Sequence, residues 1–474
     1  MMQVLRQKLT AVGLLGASAL VLAGCATVDI DASLDASVGA LQEFADAELV
    51  LKRTSDDNER AAVLVDGLLE SPLTQTAAIQ VALANSASFQ AKLANHWVSA
   101  AQSAQSGRIA NPMLTLERIA IGGEVELTAL LSFGLLDVFT LPARQSRAKI
   151  ALAREQIKLT TDVVSHITDV RQTWVQAITA EQRLDYARQV YESAEASAEL
   201  AKRMQAVGNF SRLDRMQQQS FYSEAATALT TMTHEALSAR EALIRILGLS
   251  ADQITKLQLP TRLPGLPENP RTAEEAGRVA TADRLDIQLA EASLESAARS
   301  QGLDAVFSYT DIELGLLRQR IDEGGDRTTG DGYEFDISLP VFDWGGMKRA
   351  AMNARTLAAA NTLEATLRDA ASTLRENYSA YRTAFEVARF YESEVLPLQE
   401  LVAEENVLRY NAMLIGVFEL MASSRRQISI VQSAIDANEQ FWMSDAALSA
   451  TLIGNPVVTS VGAVGVVADA GGEH

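Results

Sequence analysis

The chain of 474 residues has one cysteine, ten prolines and only 5% aromatic residues. A lone thiol makes no internal disulfide and is a poor metal site, so neither a disulfide framework nor a cysteine-held metal stabilises this fold. The four histidines, His96, His166, His234 and His474, never fall at metal-pair spacing. His234-Glu235 begins like H-E-x-x-H, but Ser238 stands where the second histidine belongs. There is no P-loop, no G-x-G-x-x-G after a strand and no G-x-S-x-G. An enzyme is therefore not expected, nor is a cofactor or a metal. Positive charge is also scarce: the net charge of −19 argues against a nucleic-acid partner. Beyond the first 25 residues no apolar run approaches 20, so no transmembrane helix is expected.

The position of the cysteine is informative. Arg6 and Lys8 form a basic start, residues 9–22 are apolar but too few to span a bilayer, and Ala23 and Gly24 are small. This reads as a signal peptide over 1–24. Leu22-Ala23-Gly24-Cys25 resembles the bacterial lipobox. The resemblance implies that Cys25 becomes the first mature residue and carries lipid, including palmitate. Each buried CH₂ adds roughly 0.8 kcal/mol of membrane affinity, so several acyl chains anchor the protein. Ala26, in place of Asp, implies the outer membrane of a Gram-negative cell. The plainer alternative is an ordinary signal peptide with a stray cysteine.

Prolines cluster at Pro260, Pro264, Pro267 and Pro270 and divide the chain. The expected organisation is an N-terminal lipid-anchored segment over 25–70, a first repeat over 71–270, a second over 271–456 and a flexible tail over 457–474. The two parts repeat with a period of about 200 residues. Each opens with a helical stretch (74–107, then 272–302). Each continues into a β segment ending at Leu-Pro (Leu141-Pro142, then Leu339-Pro340). A very long helical stretch follows and stops at a glycine, Gly208 and then Gly416. From Pro142 to Gly208 a helix would run roughly 100 Å. Its apolar positions Val163, Ile167, Val170, Trp174, Ala177, then Leu184, Ala187, Tyr191, Ala194, Ala198 and Ala201, alternate spacings of three and four, a coiled-coil seam. Pro397 should kink or break the second long helix.

The β segments lie at about 112–141 and 304–340. Tyr333-Glu334-Phe335-Asp336-Ile337 alternates strictly, and Ile312, Leu314 and Leu316 alternate with Asp311, Glu313 and Gly315. Val125, Leu127, Ala129, Leu131, Phe133 and Leu135 share one face of another strand. One apolar face and one acidic face fit a membrane β-barrel; a half-buried soluble sheet also alternates. Ile121-Gly122-Gly123-Glu124 is a tight turn, and 322–332 is expected as a longer loop. The run Asp322-Glu323-Gly324-Gly325-Asp326 lacks the EF-hand order, so it reads as a solvated loop. Two strands per repeat cannot close a barrel, and open edges in lipid leave backbone groups unpaired. The chain is therefore expected as a homotrimer with twelve strands and a mainly α fold of long coiled-coil helices beneath them. Glu313, Glu334 and Asp336 are expected to face the channel lumen, because facing lipid would cost up to a few kcal/mol each.

Leu73-Thr74, Ala82-Leu83-Ala84-Asn85, Asn111-Pro112, Leu141-Pro142-Ala143-Arg144, Gly208-Asn209-Phe210-Ser211, Leu247-Gly248-Leu249, Arg284-Leu285-Asp286-Ile287 and Leu339-Pro340-Val341-Phe342-Asp343-Trp344-Gly345-Gly346 resemble the TolC-like outer-membrane efflux family. The resemblance covers nearly all of the mature chain. It implies a homotrimeric passive duct in outer-membrane lipid, reaching into the periplasm and serving a periplasmic adaptor and an inner-membrane transporter of a tripartite efflux system. Type I protein secretion is the alternative within that class; a structural coiled-coil envelope lipoprotein is the alternative outside it. Departures are Ser86-Ala87 and Leu285, where the family often has proline, and Glu419-Leu420-Met421-Ala422-Ser423-Ser424 at the second hairpin tip, in place of a Leu-Asp-Ala-Gln-like run. The periplasmic tip, or gate, is expected at Gly208 and Gly416, with Asp214 and Glu419 just beyond. Arg212, Arg215, Arg425 and Arg426 are candidate partners. The plainer reading of both acids is helix capping, favoured by the macrodipole.

Overall fold

The computed structural model describes residues 28–42, 44–45, 48–280, 284–307, 312–323, 325–339 and 341–457. Cys25, the leader and the tail beyond 457 lie outside them, as do Asp311, Gly324 and Pro340. The chain forms two compact units. One comprises residues up to 33, 94–159 and 287–367; the other comprises 34–93, 160–286 and 368 onward.

The first unit carries a four-stranded antiparallel sheet in the order β1-β2-β3-β4, with β1 Met113–Ile121, β2 Glu124–Gly134, β3 Ile312–Glu323 and β4 Asp326–Ile337. The β1–β2 turn needs left-handed backbone at both central positions, and Gly122 (φ 62°) and Gly123 (φ 99°) supply it. The second hairpin corrects the expected long loop over 322–332. The β3–β4 pairing runs on to Glu323↔Asp326, and Gly330 and Gly332 lie within β4.

Helices flank the strands in sequence: α1 Ile30–Leu41, α2 Ser55–Leu68, α3 Gln75–Asn85 and α4 Ala87–Ser106 before β1, and α5 Leu135–Ala206 after β2. The expected strand end at Leu141-Pro142 is also corrected. β2 stops at Gly134, and Pro142 lies inside α5. The helix starts early because Asp137 sits in its first turn, where an acid is favoured, and Arg144 closes on it at 2.5 Å. In the second half β4 ends at Ile337 and α10, Gly346–Phe390, starts nine residues later, after a turn in which Asp343 accepts from the Gly345 amide at 2.8 Å.

The helical unit is built on α5, α6 (Arg212–Leu247), α10 and α12 (Val417–Ile453), with the short α7 (Ala251–Lys256) and α8 (Ala273–Ala280) around the proline-rich segment. Of the expected seam on α5, Tyr191 and Ala198 are half-buried and the other nine residues are buried. Trp174 donates its indole N–H to the Leu73 carbonyl at 2.8 Å. On α10, Tyr381, Ala384, Phe385 and Ala388 pack with Ala437, Phe441, Leu448 and Leu452 of α12. Pro397 does not break its helix abruptly. A π turn, Tyr391–Val395, precedes α11 (Leu396–Asn411), and the wider turn accommodates the proline at the start of α11. α9 is Leu285–Phe307. Among the described residues no helix is long and apolar enough to cross a membrane.

Candidate functional site

Paired residues of an antiparallel ladder share a face, so the register sorts the sheet. One face carries Leu114 and Leu116 of β1, Val125, Leu127, Ala129, Leu131 and Phe133 of β2, Ile312, Leu314 and Leu316 of β3, and Tyr333, Phe335 and Ile337 of β4. Leu116 is 73% and Tyr333 76% exposed, far more than a soluble sheet leaves uncovered. The opposite face carries eight acids: Glu117, Glu124, Glu126, Glu313, Glu323, Asp326, Glu334 and Asp336. Among the described residues it has no lysine or arginine. It also holds Gly134, Gly315, Gly330 and Gly332, which the apolar face lacks, together with some aliphatic residues.

Glu313, Glu334 and Asp336 therefore lie together, with Glu313 directly across from Asp336. Sequence reasoning missed the other five acids and the four arginines, Arg118, Arg318, Arg320 and Arg327, all on the apolar face. Parity carried through the hairpin turns would have assigned them. Packing on the acidic face is tight: a Cβ on Gly315 would sit 2.6 Å from the Leu130 side chain and 3.4 Å from Glu334 Cβ.

The helix hairpins form the second candidate region. α5 ends in a six-residue closure: Gly208 N–H donates to Gln205 O at 3.0 Å and Asn209 N–H to Met204 O at 2.9 Å, with Gly208 left-handed at φ 82°. The same pair of bonds ends α11, from Met413 to Tyr410 (2.9 Å) and Leu414 to Arg409 (2.8 Å). Here the left-handed residue is Met413 (φ 59°), not Gly416. Gly416 is extended (φ −82°) and occupies the N-cap of α12. The expectation of two glycine turns is thus corrected at the second hairpin.

Asp214 sits three residues after the Ser211 N-cap. Its carboxylate accepts from Ser211 N–H at 2.9 Å, and Ser211 Oγ accepts from Asp214 N–H at 3.1 Å. Glu419 holds the corresponding place after Gly416, where no side chain caps the helix. Among the described residues no ion pair joins either acid to Arg212, Arg215, Arg425 or Arg426. Arg425 instead donates to Gln218 at 3.1 Å and lies over the Phe221 ring at 4.6 Å. Phe210 meets Phe418 at 4.6 Å between ring centroids, a contact between hairpins that spacing alone does not reveal.

Further along the helical unit, Arg183 of α5 bonds both Asp436 and Glu439 of α12. Burial pushes the Glu439 carboxyl up, against the pull of Arg183. His166 is buried and stacked on Phe89 at 4.5 Å. Burial, aided by Lys92, lowers its pKa to about 4. No group of three metal-ligating residues occurs among the described residues.

No family model and no curated protein matches this sequence. Solved structures do match. The outer membrane protein VceC of Vibrio cholerae aligns at a TM-score of 0.63 and 15% identity, over 80% of this chain and 96% of its own. The CmeC outer membrane channel of Campylobacter jejuni aligns at 0.64 and 14%, over 87% and 89%. The MtrE outer membrane channel of Neisseria gonorrhoeae, in its open state, aligns at 0.56 and 19%, over 80% and 88%. The chain has the fold of these outer-membrane channels.

Proposed function

We propose that this chain is the outer-membrane duct of a tripartite efflux system, through which small solutes driven by an inner-membrane transporter leave by way of a periplasmic adaptor. The observation that carries the reading is the sorted sheet: one apolar face, one acidic face, and unpaired edges at β1 and β4. Edges open to lipid cost several kcal/mol per backbone group, and three copies would close them as twelve strands. The two halves are then repeats, with Cys25 as the lipid anchor. The glycines favour the acidic face as the inside of the curve, because small residues fit where strands crowd. An envelope spacer would need the helices but not a two-faced sheet.

With Glu313, Glu334 and Asp336 turned inward, the lumen repels anions. The purified protein in a planar bilayer should conduct, and its reversal potential in a salt gradient should show cation preference. A protein that gives no conductance, or clear anion preference, contradicts the reading. The helix hairpins would be the resting constriction. Asp214→Ala with Glu419→Ala should raise closed-state conductance without lowering the yield of the oligomer; unchanged conductance would leave both acids as helix-capping groups.

A further inference from the structure

The hairpin end of the apolar face is only partly apolar. Leu114, Leu131, Leu316 and Tyr333 occupy one row across the sheet, and the rows nearer the base are aliphatic or aromatic. Towards the turns β3 and β4 change on this face to Arg318, Arg320 and Arg327 with Asp322 and Asp331, while β1 and β2 stay aliphatic except for Arg118. Arg318 pairs with Asp331 at 2.7 Å, and Asp322 is shared between Arg320 (3.1 Å) and Arg327 (3.0 Å). Arg118 is exposed and, among the described residues, has no ion-pair partner. Four guanidiniums thus meet two carboxylates. The opposite face, at the same height, holds Glu124, Glu323 and Asp326. Among the described residues of the sheet, positive charge lies on the apolar side alone.

We propose that this arginine cluster is a docking surface for the phosphate groups of anionic lipids in the outer leaflet. The inference rests on the reading that the apolar face meets acyl chains with the turns outward. Continuity then fixes the occupant: the rows above an acyl-facing band stand at headgroup height. A guanidinium offers a planar pair of donors that matches a phosphate in bidentate fashion, which an ammonium does not. The excess of two positive charges per chain is the complement of a phosphorylated headgroup.

The test uses the full-length protein in detergent micelles. Native mass spectrometry would read binding of diphosphorylated lipid A, of the same lipid without its phosphates, and of inorganic phosphate. Saturable binding is expected for the first, and markedly weaker binding for the second and third. Arg118→Gln, which breaks no ion pair, should weaken lipid A binding about fivefold. Asp331→Asn, which frees Arg318, should strengthen it. Equal binding of the dephosphorylated lipid, or unchanged binding by Arg118→Gln, overturns the proposal. Binding of inorganic phosphate as strong as that of lipid A also overturns it, assigning the cluster to a free anion. A separate variant, Leu316→Trp in vesicles of brominated-chain lipid, reports whether the face meets acyl chains. Absent quenching defeats the underlying reading, whereas strong quenching with unaltered lipid A binding defeats only the arginine site.

Discussion

The two helix hairpins close with the same pair of backbone bonds around different residues, Gly208 in one and Met413 in the other. The inner ends of the same two returning helices behave differently. α6 and α12 both stop at a left-handed glycine, Gly248 and Gly454. The difference lies in what surrounds each residue. A Cβ on Gly208 would meet nothing within 4 Å, so only the dihedral angle opposes a side chain. A Cβ on Gly248 would lie 2.7 Å from Ser86 Cα, and one on Gly454 would lie 2.7 Å from Leu285 N. Where a left-handed turn faces open space, a strained methionine suffices; where backbone packs on backbone, only glycine fits. This contact also explains the buried Ser86, which holds the extended break between α3 and α4 against α6.

The contrast can be broken most sharply at the inner glycines. Gly248→Ala and Gly454→Ala should each cost about 2–4 kcal/mol, combining left-handed strain with overpacking. Urea unfolding of the purified protein would measure it, and a loss below 1 kcal/mol would remove the close-approach argument. A second difference between the halves is chemical. His166 lies in the first long helix, and its folded pKa of about 4 is below its ordinary 6.5. A base with a depressed pKa stabilises the fold only while neutral. Its contribution is complete above about pH 6.5 and fades as the pH falls towards 4. Wild type should lose on the order of 1–3 kcal/mol across that window, and His166→Asn should lose less. Parallel unfolding curves at several pH values decide this. The smallest effect belongs to the hairpins: Gly208→Ala should cost about 1 kcal/mol, while Met413→Gly should change stability by only a few tenths, because relieved strain offsets the added freedom of the unfolded chain. Equal losses from the two changes would show that the turns are not equivalent.

The seam on α5 and the alternation in β3 and β4 were legible in the sequence because a buried face imposes a fixed period on side chains. Glu313, Glu334 and Asp336 could be grouped for the same reason. The strand end at Leu141-Pro142 and the loop over 322–332 differ from expectation because Pro and Gly are not always punctuation. Pro142 is tolerated inside α5, and Gly330 and Gly332 sit in a strand across from Gln319 and Leu317. Gly416 departs from expectation for a related reason. Glycine serves both as a left-handed stop and as an extended N-cap, and the residue type alone does not separate the two. The Phe210–Phe418 contact joins residues that only the folded hairpins bring together.

The π turn at Tyr391–Val395 gives the second long rod something like a reading frame. A turn hydrogen-bonded from residue i to i+5 contains one residue more than the α pattern allows, so every side chain beyond it is rotated by about 100° relative to those before. Leu398, Leu401 and Leu408 present their faces in a phase that the turn sets, not the sequence spacing from Tyr381. Deleting one residue from 391–395 would leave composition and charge almost untouched. It would nevertheless shift the frame of the whole distal segment, up to Asn411, against a partner helix that has not moved.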